Sequence, residues 1–227
     1  MSTGTRPFET VAPNARSVSI VRSSSEGTLS SSEVNRRLLH MSPGLLPFLL
    51  WAIPHQDPWG PALVNVVVAL FVAIVGLAVT RPQLFARPGE RDFRPSVLGY
   101  ALPIFAALSL CRGREEIGLM TLVVLAWGDG SATLGGMLLG GRPLPWNPSK
   151  TWAGTLCFVA CATPIAALVY WGEARPTVEF GSALLIALGT CAVSAVVESV
   201  PLRMNDNLRV GATAAILGGV LTIFVVG

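Results

Sequence analysis

From Leu38 onward the chain alternates long apolar runs with short breaks rich in proline, arginine and small polar residues. Seven runs can be marked, at about residues 38–53, 60–79, 97–111, 117–140, 151–171, 181–200 and 210–226. A helix needs about 20 apolar residues to cross a bilayer. The first and third runs are short and carry Pro43, Pro47 and Pro103, which a membrane helix tolerates where neighbours satisfy the freed carbonyls. Trp51 and Trp59 flank one break, Trp146 and Trp152 another, and Trp171 a third, as in an interfacial aromatic belt. The pattern predicts an all-α fold, a polytopic transmembrane helix bundle of about seven spans over residues 33–227. Residues 1–32, rich in Ser, Thr and Gly and lacking the apolar core of a secretory signal, are expected to form a disordered polar tail.

Composition supports the same class. Hydrophobic residues make up 52% of the 227 and charged residues only 13%, with a mean hydropathy of +0.60. A soluble domain carries about 25% charged residues, so the polar coat of a soluble globule is missing. The net charge of +3 is small, and the basic residues stand in breaks beside apolar runs. That arrangement suits an anionic membrane face and not nucleic acid.

The same residues orient the chain. Arg6, Arg16, Arg22, Arg36 and Arg37 precede or open the first run, and Arg81, Arg87, Arg91, Arg94, Arg142, Lys150, Arg203 and Arg209 fall in alternate breaks. Only Arg112, Arg114 and Arg175 fall in the others. The positive-inside rule then predicts a cytoplasmic N-terminus and an external C-terminus, in a multi-pass protein of a cell's inner membrane. The breaks at 142–150 and 201–209 would both face the cytoplasm, where soluble nucleotides are available.

Cys111, Cys157, Cys161 and Cys191 lie in or beside apolar runs. Cys157 and Cys161 share a helix face, but no further cysteine or histidine stands near enough in sequence to complete a tetrahedral metal site. They read as small packing residues.

Chemistry concentrates between Trp127 and Thr155, W-G-D-G-S-A-T-L-G-G-M-L-L-G-G-R-P-L-P-W-N-P-S-K-T-W-A-G-T. Asp129 stands inside an apolar run, roughly 18 Å along a helix begun at Ile117, unless the helix breaks at Gly128–Gly130. An acid at that depth needs a cation or a water-filled cavity. Gly128, Ala132, Gly135, Gly136 and Gly140 give one helix face almost no side chains, which small-residue packing alone would explain. Pro143, Pro145 and Pro148 bar a regular helix in the next break and deliver Lys150 and Thr151 to the start of the fifth run, where a helix N-terminus favours an anion. Ser149-Lys150-Thr151 lacks the glycine-rich part of a Walker A loop, and protein-kinase motifs are absent.

A second group is V-E-S-V-P-L-R-M-N-D-N-L-R-V, residues 197–210. Carboxylates and amides are hard oxygen donors of the kind Mg²⁺ accepts. A polar turn would explain Asn205-Asp206-Asn207, but not Glu198 inside the apolar run. Ahead of the first run, Arg36-Arg37-Leu38-Leu39-His40 either anchors the helix to anionic lipid or brings Arg37 or His40 to the same cavity.

These motifs, G-D-G-S-A-x₃-G, then L-P-W-N-P-S-K-T-W-A-G-T, then V-E-S-V-P-x₄-D-N-L, with R-R-L-L-H before them, resemble the polyprenol kinase family. That family holds the CTP-dependent lipid-alcohol kinases acting on phytol, farnesol, dolichol or diacylglycerol, and looks related to the phosphatidate cytidylyltransferases. The resemblance covers roughly residues 33–226 and is most similar to the phytol kinase branch. It implies transfer of the γ-phosphoryl group of CTP to a membrane lipid's hydroxyl with Mg²⁺. It puts Asp129 in the G-D motif, Lys150 and Gly154 in a K-T/S-x-x-G motif, and Glu198, Asp206 and Asn207 in an E…D-N motif. Asp129, Lys150, Glu198 and Asp206 are then the candidate catalytic residues, with Asp129 and Asp206 as metal ligands and Asp129 alternatively the base on the hydroxyl. Arg37, His40, Asn147, Lys150, Thr151, Gly154 and Asn207 are candidates for binding nucleotide or lipid. Asn205 stands where the family pattern has a second aspartate. A phosphatidate cytidylyltransferase, making a CDP-lipid from CTP, is the alternative enzyme reading, which the absence of that family's S-x-x-K-R and P-G-H-G-G-x-x-D-R signature weakens but does not remove. An ion-coupled transporter, the reading from another class, would be expected to show a second interrupted span in a repeated half, and none is visible.

Overall fold

A computed structural model of the chain describes residues 94–111 and 113–227, preceded by residues 34, 37, 38, 40–51, 66, 70, 74 and 77. The tail expected at 1–32 and most of the run at 60–79 lie outside the described residues. Val66, Leu70, Ile74 and Leu77, within that run, are helical and exposed.

Local chemistry accounts for the short first helix. Ser42–Leu45 form a 3₁₀ turn that leads into α1, Leu46–Leu50, and each piece has a proline in its first two positions. There the missing N–H would have had no helical partner. α2 spans Arg94–Leu110 and keeps Pro103 in its interior. Gly211, on the last helix, lies directly against the Pro103 ring.

The expected fourth run is one long helix with an irregularity. α3, Glu115–Val123, passes through a π-helical turn at Val124–Gly128 into α4, Asp129–Leu139. The helix widens over Val124–Gly128 and runs on through Gly128–Gly130 without a break. The whole of Glu115–Leu139 is 25 residues long, about 37 Å at 1.5 Å per residue. α4 ends at Gly140 and Gly141, whose φ of 60° and 102° only glycine adopts easily. The chain then reverses into a two-stranded antiparallel hairpin, β1 at Pro143–Leu144 and β2 at Asn147–Thr151. Three long helices follow: α5 at Trp152–Glu173, α6 at Phe180–Ser199 and α7 at Asp206–Val225.

Four helices are long and apolar enough to cross a membrane, Glu115–Leu139 and α5 to α7, and the apolar Pro95–Leu110 is shorter. This fits a membrane protein. The seven crossings read from the sequence exceed the four helices of spanning length among the described residues. In the most apolar stretch of Glu115–Leu139, 78% of residues are buried, against 39%, 39% and 33% in α5, α6 and α7. The first is therefore the central post, with the others packed around it. They leave Leu185, Val196, Ile216, Ile223 and Phe224 exposed on their outer faces, a distribution suited to lipid.

Small residues bring α4 and α5 together. Gly128 packs on the Phe158 ring, Gly135 on Cys157 and Gly154 on the Ala132 carbonyl. The bare face read from the sequence is thus a packing face as far as Gly136. Gly140 plays no part in it, because it terminates the helix. All four cysteines are free thiols. Tyr170 donates to Thr222 (2.9 Å), tying α5 to α7 at the end of the bundle away from the hairpin.

Candidate functional site

At the hairpin end, the start of α2, the end of α6 and the start of α7 meet. Asn147 fixes the hairpin there. Its Nδ2 donates to the Ser199 carbonyl (2.9 Å), while its Oδ1 accepts from Ser149 N (3.2 Å) and Ser149 Oγ (2.7 Å). Trp146 Nε1 donates to Ser199 Oγ (3.0 Å). Leu144 is buried beneath the hairpin. Asn147 therefore holds β2 against the last turn of α6 and presents Lys150, three residues on, toward that helix.

Lys150 Nζ forms an ion pair with Glu198 Oε1. The Glu198 side chain is only 1% exposed and the Lys150 side chain 28%. The acid is removed from water while the ammonium remains reachable, with donors to spare beyond the one Glu198 takes. Thr151 caps α5, its Oγ1 accepting from Gly154 N (3.1 Å), and Trp152 N donates to the Arg142 carbonyl (3.2 Å). Two of the helix's first N–H groups are thereby occupied, and the charge at this helix mouth comes from the lysine.

Asp129 opens α4 immediately after the π turn, a kind of helix irregularity frequent at functional sites. Its Oδ2 lies 3.5 Å from Arg37 Nη1 and 3.4 Å from His40 Nε2. The Tyr100 ring meets the His40 ring edge to face at 5.2 Å. Ser131 Oγ lies 3.1 Å from both the Gly128 and the Cys157 carbonyls, fixing this part of α4 to α5.

Between these two ion-paired groups is a cavity of about 330 Å³. Arg37, Lys150 and Glu198 line it with charge. Thr133, Ser149, Thr151 and Thr155 add hydroxyls, while Ala132, Gly136, Met137 and Gly154 leave room. Arg37, Lys150, Thr151, Gly154 and Glu198, from four separate segments, thus share one cavity. Asp129 adjoins it through Arg37.

Asp206 and Asn207 begin α7 and do not line the cavity, although Glu198 lies within electrostatic reach of both Asp129 and Asp206. Asp206 is ion-paired with Arg209, three residues on. Asn205 is the cap of α7, its Oδ1 accepting from Leu208 N (3.2 Å) while its Nδ2 donates to the Pro95 carbonyl (3.1 Å). An aspartate at this position would lack the donor to Pro95. Reading the sequence missed Thr133, Ser149 and Thr155, whose hydroxyls carry no pattern, and Arg209, which looked like one more basic loop residue.

No family model matches the chain, and no solved structure does. Curated relatives do. A probable phytol kinase 2 of Oryza sativa subsp. japonica is 28% identical over 202 residues, 83% of this chain and 66% of its own length. Farnesol kinase of Arabidopsis thaliana is 27% identical over 198 residues, 82% of this chain and 64% of its own. The chain thus spans a little under two thirds of these chloroplastic proteins. Phytol kinase of Synechocystis sp. is 30% identical over 200 residues, 84% of this chain and 80% of its own. With a bundle of membrane-length helices and its charged motifs gathered at one end, the chain belongs to the polyprenol kinase family, that of the phytol and farnesol kinases.

Proposed function

We propose that the protein is an integral-membrane kinase that transfers the γ-phosphoryl group of CTP to the hydroxyl of a lipid alcohol, polyprenol- or phytol-like or a diacylglycerol. The observation that carries this reading is the half-buried but reachable ammonium of Lys150, held on buried Glu198 at the edge of a cavity shared with Arg37. About 330 Å³ is at the small end for a ligand site, which suits the reacting phosphates and hydroxyl more than a whole nucleotide and lipid. The named activities of the plant and cyanobacterial relatives support the reaction class.

Phosphoryl transfer depends mainly on positioning and charge stabilisation. Lys150 and Arg37 bind phosphate oxygens, and Lys150 does so without releasing Glu198. The lipid hydroxyl enters laterally from the membrane and attacks the γ-phosphorus in line. A new O–P bond forms as the bond to the β-phosphate oxygen breaks, CDP leaves, and the hydroxyl proton goes to a base. Asp129 takes one of two roles, that base or a metal ligand.

Asp129, beside the cavity, has the donor chemistry Mg²⁺ accepts, and Asp206 at the start of α7 would have to be brought to the same ion. Their carboxylates are hard oxygen donors; among the described residues no three of His, Cys, Asp and Glu form a cage. Mg²⁺ characteristically takes one or two carboxylates and completes its shell with water and phosphate. When bound, it supplies neutralisation of the phosphate charge.

The clustering of Arg142, Lys150, Arg203 and Arg209 near the hairpin end, with Arg114 and Arg175 at the opposite one, supports a site on the cytoplasmic face, and the inner membrane is its proposed location. The test is incubation of purified protein with Mg²⁺, γ-labelled CTP, ATP or GTP, and a panel of phytol, farnesol, longer polyprenols and diacylglycerol. Label in a lipid phosphate from CTP is expected. Release of pyrophosphate with formation of a CDP-lipid would instead make the protein a cytidylyltransferase.

A further inference from the structure

Arg209 is almost completely enclosed, its side chain 5% exposed, although it stands only three residues into α7. A buried guanidinium is costly unless its donors are taken up; here Nη1 and Nη2 are directed at two elements, while Nε meets no partner among the described residues. Nη1 donates to the carbonyls of Val197 (3.2 Å) and Val200 (2.9 Å) in the last turn of α6. Nη2 is ion-paired with Asp206, whose side chain is 50% exposed. The cation thus lies at the negative end of α6 while its acid partner lies at the positive end of α7, so both helix dipoles favour the arrangement. Between Val197 and Val200 lies Glu198, the acid that holds Lys150.

We infer that Arg209 is a positioning residue that sets Glu198 and Asp206 as one unit, and through Glu198 sets the Lys150 ammonium. The inference rests on the reading of this end as the nucleotide site, and Arg209 itself touches no reactant. A rigid planar fork can span two carbonyls and a carboxylate together, whereas a lysine is a single compact charge on a flexible stem. Arg209→Lys therefore keeps the charge beside Asp206 but loses the tie to α6.

The test is a double-variant cycle with Arg209→Lys, Asp206→Asn and the combination, in the full chain in detergent. It is read in three ways: the dissociation constant for Mg²⁺·CTP, the kcat and KM of transfer, and the unfolding midpoint. Arg209→Lys should lower the midpoint modestly, as two carbonyls lose their donor, and in the protein that remains folded should weaken Mg²⁺·CTP binding by about tenfold, the scale expected of residues coupled in one network. The combination should be little worse than the weaker-binding single variant, since either change alone breaks the link that runs from Asp206 through Arg209 to the end of α6. Multiplying effects would overturn the inference, as would a loss in Arg209→Lys confined to the folded fraction with binding unchanged. A wild-type protein that binds Mg²⁺·CTP yet transfers nothing would defeat the kinase reading, and the binding cycle would still decide the role of Arg209. A wild type that binds no nucleotide would overturn both.

Discussion

Lys150 and Glu198, 48 residues apart in sequence, are joined by an ion pair whose acid is almost wholly buried and whose base is reachable from the cavity. The asymmetry sets different consequences for losing each partner. Breaking a buried pair from one side leaves an uncompensated charge, at a cost of about 3–5 kcal/mol. Lys150→Ala should therefore lower the unfolding midpoint measurably, and Lys150→Ala combined with Glu198→Gln should recover most of the loss. Neither variant should bind nucleotide normally. Equal stability of the single and double variants would show that the pair does not hold the hairpin end together.

Asp129 is ion-paired with Arg37 at 3.5 Å and lies 3.4 Å from the His40 ring nitrogen. Asp129→Asn keeps the shape of the side chain and removes its charge. As base or as metal ligand, Asp129 should be worth about a hundredfold or more in kcat, so transfer by Asp129→Asn should fall at least that far with the fold intact by circular dichroism. Near-normal transfer with every candidate alcohol would reduce Asp129 to a packing residue.

Gly154 meets the Ala132 carbonyl where a Cβ would have to go, at 2.7 Å. Gly154→Ala must push α5 away from α4 beneath the cavity. Overpacking of this kind costs about 1–3 kcal/mol, so the variant should melt earlier and bind nucleotide more weakly. Gly181, where an added methyl group would meet nothing within 4 Å, is the matched control, and Gly181→Ala should change neither.

Asn205 both caps α7 and donates to the Pro95 carbonyl at 3.1 Å. Asn205→Asp would place the acid that the family resemblance led us to expect, but lose that donor and set a negative charge against a carbonyl. A loss of about 1–3 kcal/mol is expected, with no gain in turnover or in Mg²⁺ affinity. A more active and equally stable variant would mean that the position is a metal site.

What could be read from the sequence was whatever a local pattern carries. The runs at 151–171, 181–200 and 210–226 appear as α5, α6 and α7 because an unbroken apolar stretch of that length has few other outcomes. α7 begins earlier than its apolar run because Asn205 provides the cap. Asp129, Lys150 and Glu198 stood out because a charge beside or inside such a stretch has to be compensated. Their pairings did not, since Lys150 meets Glu198 only after the hairpin folds back on α6. Three prolines excluded a helix over 142–150 but contained nothing of the register that pairs Pro143 with Thr151. Arg209 was invisible for a related reason, because the carbonyls it satisfies belong to the preceding helix and backbone atoms leave no trace in side-chain patterns.

Whether Lys150 serves γ-phosphoryl transfer to a lipid is decided by following the label from CTP. Purified protein in Mg²⁺ with phytol or farnesol is given CTP labelled at either the γ- or the α-phosphate, alongside Lys150→Ala. The γ label should appear in a lipid monophosphate and the α label should stay in CDP. Lys150→Ala should lose most of the transfer at CTP levels saturating for the wild type. Appearance of the α label in the lipid, or γ transfer unaffected by loss of Lys150, would show the proposed chemistry to be wrong.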